Sequence, residues 1–165
     1  MKTQETKDIE KALIKRYVNN GINRIGLEIY IKDNKGNFGY VDFITIQLDD
    51  YHNIPLITCF EIKVSINDFN SPNGHNLYGD YNYYVVNEEV YKHIKERKTN
   101  VGLILFKNNK LRTVRESSKR YYNYQTIESR FRLLDSILVS WQSGSMFRIL
   151  KDYEITLRNE RCVEE

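Results

Sequence analysis

Asp42, Glu61 and Lys63 are the residues of this chain whose types and spacing point most directly to chemistry. Glu61 and Lys63 flank Ile62 in the run Thr58-Cys59-Phe60-Glu61-Ile62-Lys63-Val64-Ser65. In an extended strand side chains alternate between faces, so Glu61 and Lys63 project to one side and Ile62 and Val64 to the other. Asp42 interrupts the apolar and aromatic run Gly39-Tyr40-Val41-Asp42-Phe43-Ile44-Thr45-Ile46, where a lone carboxylate is unfavourable without a partner. Two carboxylates on neighbouring strands suit a hard divalent cation such as Mg²⁺ or Mn²⁺, which takes one or two carboxylates and leaves its other positions to water and phosphate oxygens. An ammonium beside them would orient the attacking water or offset charge on a phosphoryl group, the chemistry of metal-assisted phosphodiester hydrolysis. Glu-Ile-Lys taken by itself describes an ordinary solvated strand, and Asp42 is what separates the two readings.

The elements that must position these residues follow from periodicity. Ile9, Leu13, Ile14 and Tyr17 fall at helical spacing over Lys7 to Asn19, and Asn20-Gly21 supplies the stop. Ile25, Leu27, Ile29 and Ile31 alternate with more polar residues, Asp33 to Asn37 form a turn, and Tyr40 to Ile46 return as a second strand. A further turn at Asp49 to Asn53 leads into Leu56 to Val64, which makes a three-stranded meander with Asp42 on its middle strand. The stretch Asn67 to Gly74 reads as a loop too polar for a packed element, with a short helix over His75 to Gly79. Then come a strand at Tyr83 to Val86, a helix from Glu88 to Arg97 capped by Asn87, and strands at Val101 to Phe106 and Leu111 to Val114. Ile127, Phe131, Leu134, Leu138 and Trp141 mark a last amphipathic helix, and Met146 to Leu157 fits either helix or strand. The order α-β-β-β-α-β-α-β-β-α predicts an α/β protein with a central mixed sheet flanked by helices.

With 165 residues the chain suits one domain that buries roughly two thirds of its unfolded surface. We expect a core over about 7–114 and a basic, helical C-terminal extension over 115–165 packed on it. Cys59 and Cys162 are the only cysteines, which predicts reduced thiols and a cytoplasmic setting, and no run of about 18 apolar residues predicts a membrane span. Net charge is +3, but from Lys107 to Arg132 eight Lys or Arg face two acids, Glu116 and Glu128, which suggests a polyanion-facing side. Arg112, Arg115, Lys119 and Arg120, with Tyr121, Tyr122 and Tyr124 beside them, could follow a nucleic-acid backbone by phosphate contact and stacking, or form a solvated basic face. His75, in the loop after the Glu61 strand, is a candidate phosphate contact, and Ser65 and Asp68 could orient Lys63. Gly-rich phosphate loops, paired Cys or His at zinc spacing and Gly-x-Ser-x-Gly turns do not occur.

The pattern Tyr40-Val41-Asp42-Phe43, Phe60-Glu61-Ile62-Lys63-Val64-Ser65, Asp68-Phe69 and the stretch Gly74 to Val86 resembles the PD-(D/E)XK nuclease superfamily, and within it the MmcB-like DNA repair and phage-associated group. The resemblance covers roughly Ile22 to Phe106 and departs from the family at Val41, where the motif usually has Pro. It implies a restriction-endonuclease-like fold and a Mg²⁺- or Mn²⁺-dependent DNA endonuclease or repair-associated nuclease. Asp42 and Glu61 would be the metal ligands and Lys63 the catalytic lysine. It also implies a further carboxylate near the N-terminus, for which Glu28 is the first choice and Glu10 the alternative. A homodimer would let such a small nuclease cut both strands. The alternative function is a nucleic-acid-binding module that keeps the fold without turnover.

Overall fold

The structure, a computed structural model, describes residues 2–21, 24–32, 38–48, 55–120 and 134–135. Its elements in chain order are α1 (Gln4–Asn19), β1 (Ile25–Lys32), β2 (Phe38–Leu48), β3 (Pro55–Lys63), α2 (Ile66–Asn70), β4 (Tyr81–Val86), α3 (Glu88–Ile94), β5 (Gly102–Lys107) and β6 (Lys110–Arg115). The strands form one mixed sheet in the order β1-β2-β3-β4-β5-β6. β1, β2 and β3 make an antiparallel meander; β4 and β5 continue parallel to β3, and β6 returns antiparallel to β5. The expected mixed α/β sheet with flanking helices is what the chain adopts.

Each parallel step needs a crossover, and α2 and α3 supply the two. Phe69 of α2 and Val90 and Ile94 of α3 pack with Val86 and Leu103 on one face of the sheet. On the opposite face Ile9, Leu13 and Ile14 of α1 meet Phe43, Phe60, Ile62, Val85 and Ile104. The alternation Phe60/Glu61/Ile62/Lys63 therefore turns Phe60 and Ile62 toward α1, and Glu61 and Lys63 toward the α2 side.

Local signals explain the helix ends and turns. Thr3 caps α1 by accepting from the Thr6 amide at 3.1 Å, so the helix starts three residues before the predicted Lys7. Asn87 caps α3 through the Val90 amide, and α3 ends at Ile94, short of the predicted Arg97. Asn108 and Asn109 both take positive φ, 51° and 57°, the two-residue hairpin turn that matches strand twist.

The segment after β3 differs from expectation. Residues 66–70 are a helix, not loop, because Ser65 caps it through the Asp68 amide and Phe69 is buried under it. Residues 75–79, expected as a helix, are irregular: Asn82 bonds Gly79 through both its side-chain atoms, and the Gly79 backbone lies against Ile57 and Cys59 of β3, leaving no room for a helical turn. Of the expected helical extension over 115–165, residue 115 ends β6, 116–120 are irregular, and Leu134 and Asp135 are helical, Leu134 packing on the cluster of Ile29, Val41, Ile44 and Cys59. The rest of 121–165, including Tyr121, Tyr122, Tyr124 and Cys162, lies outside the described residues.

Candidate metal centre

The ladders on both sides of Asp42 break at that residue. β1 and β2 pair at Leu27 with Phe43 and at Ile29 with Val41, but the intervening Glu28 and Asp42 are unpaired, and Glu28 has φ of 49°. The β2–β3 ladder ends at Phe43 with Phe60. One step further, the Ile62 amide donates to Asp42 Oδ2 at 2.8 Å. The carboxylate thus does the work of a backbone acceptor where β3 leaves β2 and continues beside β4.

Continuing the β2–β3 register places Asp42 opposite Glu61. Glu61 is 1% exposed, Lys63 3%, and Asp42 half-buried. Burial, and after it repulsion from the Asp42 carboxylate, pushes the Glu61 carboxyl up to about 9; Lys63 and the Asn76 amide pull it the other way. Burial also raises Asp42 above the usual carboxylate range, against the Ile62 amide and the charges of Lys63 and Lys2. A Glu61 carboxyl that titrates near 9 keeps its proton at neutral pH unless a cation replaces it. Glu61 Oε1 is buried with no hydrogen-bond partner among the described residues. An oriented, unsatisfied carboxylate oxygen beside a second carboxylate is what a hard cation would complete.

Lys63 Nζ contacts Asp68 Oδ1 of α2 at 3.3 Å. Gly74, at φ of 72°, covers both groups: a Cβ there would sit 2.5 Å from Lys63 Nζ and 3.6 Å from Glu61 Oε2. Asn76 completes the cover, donating through Nδ2 to the Tyr40 carbonyl at 2.9 Å and through its amide to Glu61. In the sequence Gly74 reads as a turn former and Asn76 as part of a short helix; their contacts depend on a return of the chain over β3 that periodicity does not show.

The two candidates for a further carboxylate share one partner. Lys2 Nζ pairs with Glu10 of α1 and, at 3.1 Å, with Glu28 of β1. Glu10 is the more enclosed, and its charge acts on Asp42, whereas Glu28 is exposed. Glu10 is therefore better placed than Glu28, the sequence's first choice. Glu28 does not simply alternate outward: Ile25 and Leu27 face α1 while Ile29 faces the other side, so the strand changes face at the positive φ of Glu28. Among the described residues, no three His, Cys, Asp or Glu side chains are grouped to hold a metal. Asp42 and Glu61 fit an ion that keeps water and substrate as its other ligands.

The candidate nucleic-acid contacts are dispersed. His75 uses both ring nitrogens inside the protein, against Tyr84 Oη at 2.7 Å and the Ser71 carbonyl at 2.9 Å, and so ties the covering segment to β4. Arg115 donates to the carbonyls of Val101 and Arg97, and Arg120 to that of Leu77. Arg112 and Lys119 are exposed, Arg112 on the edge strand β6. Three inter-strand spacings separate β6 from β3, about 14 Å, so Arg112 and Arg115 do not touch Glu61, whereas Arg120, past β6, is held against Leu77 and Asp80.

No family model matches the chain, and no curated protein is similar to it. Among solved structures, the SPO1766 protein of unknown function from Silicibacter pomeroyi is similar, with a TM-score of 0.58 and 15% identity over 93% of this chain and 96% of that one. At this identity the likeness concerns the fold. No helix among the described residues is long and apolar enough to cross a membrane.

Proposed function

We propose that the chain is a divalent-metal-dependent phosphodiesterase of the PD-(D/E)XK kind acting on DNA. The observation that carries the reading is the buried Glu61 carboxylate, one oxygen of which has no hydrogen-bond partner among the described residues, beside Asp42 and on the same sheet face as Lys63. Asp42 and Glu61 would hold Mg²⁺ or Mn²⁺. When bound, the ion supplies positive charge to the phosphoryl oxygens and makes water a stronger acid.

The chain's own residues would do the rest. The Ile62 amide fixes the Asp42 carboxylate, and the Asn76 amide holds Glu61. Glu61 must give up its proton to act as a ligand, which the cation drives. Lys63 would donate to a non-bridging phosphate oxygen, which also helps to orient the attacking water, as that water's oxygen forms the new P–O bond and the ester P–O bond breaks. The water's proton leaves to solvent and the leaving oxygen takes one up. Asp68 orients that ammonium. A cytoplasmic setting fits a DNA substrate and the buried free thiol of Cys59.

A second reading, a nucleic-acid-binding module without turnover, is favoured by the near-complete enclosure of Glu61 and Lys63 under Gly74. The two are separated by incubating single-stranded, duplex and branched DNA with the native chain and with Lys63→Met, with Mg²⁺, with Mn²⁺ and with EDTA. The enzyme reading expects metal-dependent cutting by the native chain and a strong loss in the variant. No cutting of any substrate, or equal cutting by both proteins, overturns it.

A further inference from the structure

The connection from α3 to β5, together with Arg115 at the end of β6, encloses an open depression of about 720 Å³ lined by residues 95–100 and Arg115. Lys95, Arg97, Lys98 and Arg115 set four cations around it against one acid, Glu96, and Lys92 and His93 precede it on α3. The site is built rather than a run of loose side chains. Arg115 staples the connection to β6 by donating from Nε to the Val101 carbonyl at 3.0 Å and from Nη1 to the Arg97 carbonyl at 2.9 Å. Arg97 is anchored in turn, its guanidinium 5.0 Å from the Phe69 ring centroid and its Nη2 3.1 Å from His93 Nε2. Lys95 and Lys98 are exposed at the rim, and the Lys95 ammonium lies 3.8 Å from exposed Glu96.

The depression adjoins the metal centre through α2. Phe69, on which Arg97 lies, follows Asp68, the partner of Lys63, and meets Tyr84 edge-on at 5.1 Å. The strand register runs Glu61, Tyr84, Leu103, Arg115 across the sheet, three spacings or about 14 Å. Measured along the axis of a B-form duplex, that span covers about four base-pair steps.

We propose that this depression seats the phosphodiester backbone of the DNA whose scissile bond reaches Asp42 and Glu61. The direction assigned to the strand rests on the phosphodiesterase reading; the binding itself does not. Exposed Lys95 and Lys98 at the rim of a wide, open hollow, with the charges of the anchored Arg97 and Arg115 behind them, suit successive phosphates of a polymer, which are read by charge with little demand on shape. The run Lys92 to Lys98 carries four Lys or Arg against one acid, yet in the sequence it reads as the polar face and end of a helix.

The test is fluorescence anisotropy of a labelled duplex and its single strand in EDTA, over a range of NaCl. It compares the native chain, Lys95→Gln/Lys98→Gln, and a control pair on α1, Lys7→Gln/Lys15→Gln, each confirmed folded by its melting curve. For duplex the proposal expects the log affinity against log salt slope to fall by about 1.8 in the Lys95/Lys98 variant, with affinity down about tenfold at low salt, and the control slope to stay as in the native chain. An unchanged slope and affinity in the Lys95/Lys98 variant overturns the proposal. So does retained DNA binding alongside loss of binding to phosphatidylserine vesicles, which would assign the hollow to a membrane surface. If DNA binding maps here but no substrate is cut, this inference stands and the phosphodiesterase reading falls. If cutting occurs with the slope unaltered, the reverse holds.

Discussion

The Ile62 amide donates to Asp42 Oδ2 at 2.8 Å, at the step where the β2–β3 ladder has ended with Phe43 and Phe60. One hydrogen bond thus joins a sheet defect to the orientation of a buried carboxylate, on the strand that also carries Glu61 and Lys63.

Stability should fall as pH rises. The folded Glu61 carboxyl titrates near 9 against an ordinary value of 4.5, and Asp42 is shifted in the same direction. The native state therefore holds more protons than the unfolded chain in that window. The stability from this source is complete below about pH 4.5, declines above it and is gone once pH passes about 9. Metal-free melting curves should show a Tm that drops over this range, and Glu61→Gln should flatten the drop. An equally steep fall in Glu61→Gln would assign the titration to other groups.

Gly74→Ala and Gly21→Ala form a matched pair. Both positions have positive φ, 72° and 79°, so each variant should lose roughly 1 kcal/mol from the backbone. A Cβ at Gly21 meets nothing within 4 Å, whereas one at Gly74 meets Lys63 Nζ. DNA cleavage should fall by about 10²-fold in Gly74→Ala and stay near native in Gly21→Ala, since small displacements of a reacting group have effects of that order. Equal rates in the two variants would remove Lys63 from the chemistry.

Lys63→Met should separate binding from turnover. Removing a group that donates to water or phosphate lowers the rate by about 10²- to 10⁴-fold. Asp42 and Glu61 remain, so Mn²⁺ should still bind, which calorimetry would check. Loss of Mn²⁺ binding in this variant would mean that Lys63 holds the carboxylates in place and has no direct part in the reaction.

Tyr84→Phe should act on stability alone. It removes the hydroxyl that meets His75 Nδ1 at 2.7 Å and should lower stability by about 0.5–1.5 kcal/mol. His75 is engaged at both nitrogens, so the salt dependence of DNA binding should be the same in His75→Gln as in the native chain. A shallower salt slope in His75→Gln would restore His75 as a phosphate contact.

Glu10→Gln should weaken Mn²⁺ binding more than Glu28→Gln does, because Glu10 is enclosed and acts on Asp42 while Glu28 is exposed. The opposite order would make Glu28 the third carboxylate.

The meander carrying Asp42 and Glu61, helix α3 and the strands β4, β5 and β6 were legible because period-2 and period-3.6 patterns report local geometry. Glu61 and Lys63 on one face followed from alternation alone. What escaped was set by contacts between distant segments. Helix α2 is short and polar but for Ile66 and Phe69, and its stability comes from the Ser65 cap and the burial of Phe69. Gly74 and Asn76 matter only because the chain returns over β3. The face change at Glu28 depends on a positive φ in a non-glycine residue, for which side-chain alternation gives no sign. Arg115 and Arg120 looked like free cations, but both are committed to backbone carbonyls.

The central claim is that Asp42 and Glu61 share a divalent cation. Isothermal titration of Mn²⁺ at pH 7.5, repeated in buffers of different ionisation enthalpy, measures the stoichiometry and the protons released together. The account predicts one ion per chain with release of roughly one proton, because a Glu61 that titrates near 9 must ionise to bind. It predicts no such proton in Glu61→Gln and loss of binding in Asp42→Asn. Native-like Mn²⁺ binding in Asp42→Asn and Glu61→Gln alike, or no binding to the native chain at millimolar Mn²⁺, would contradict it.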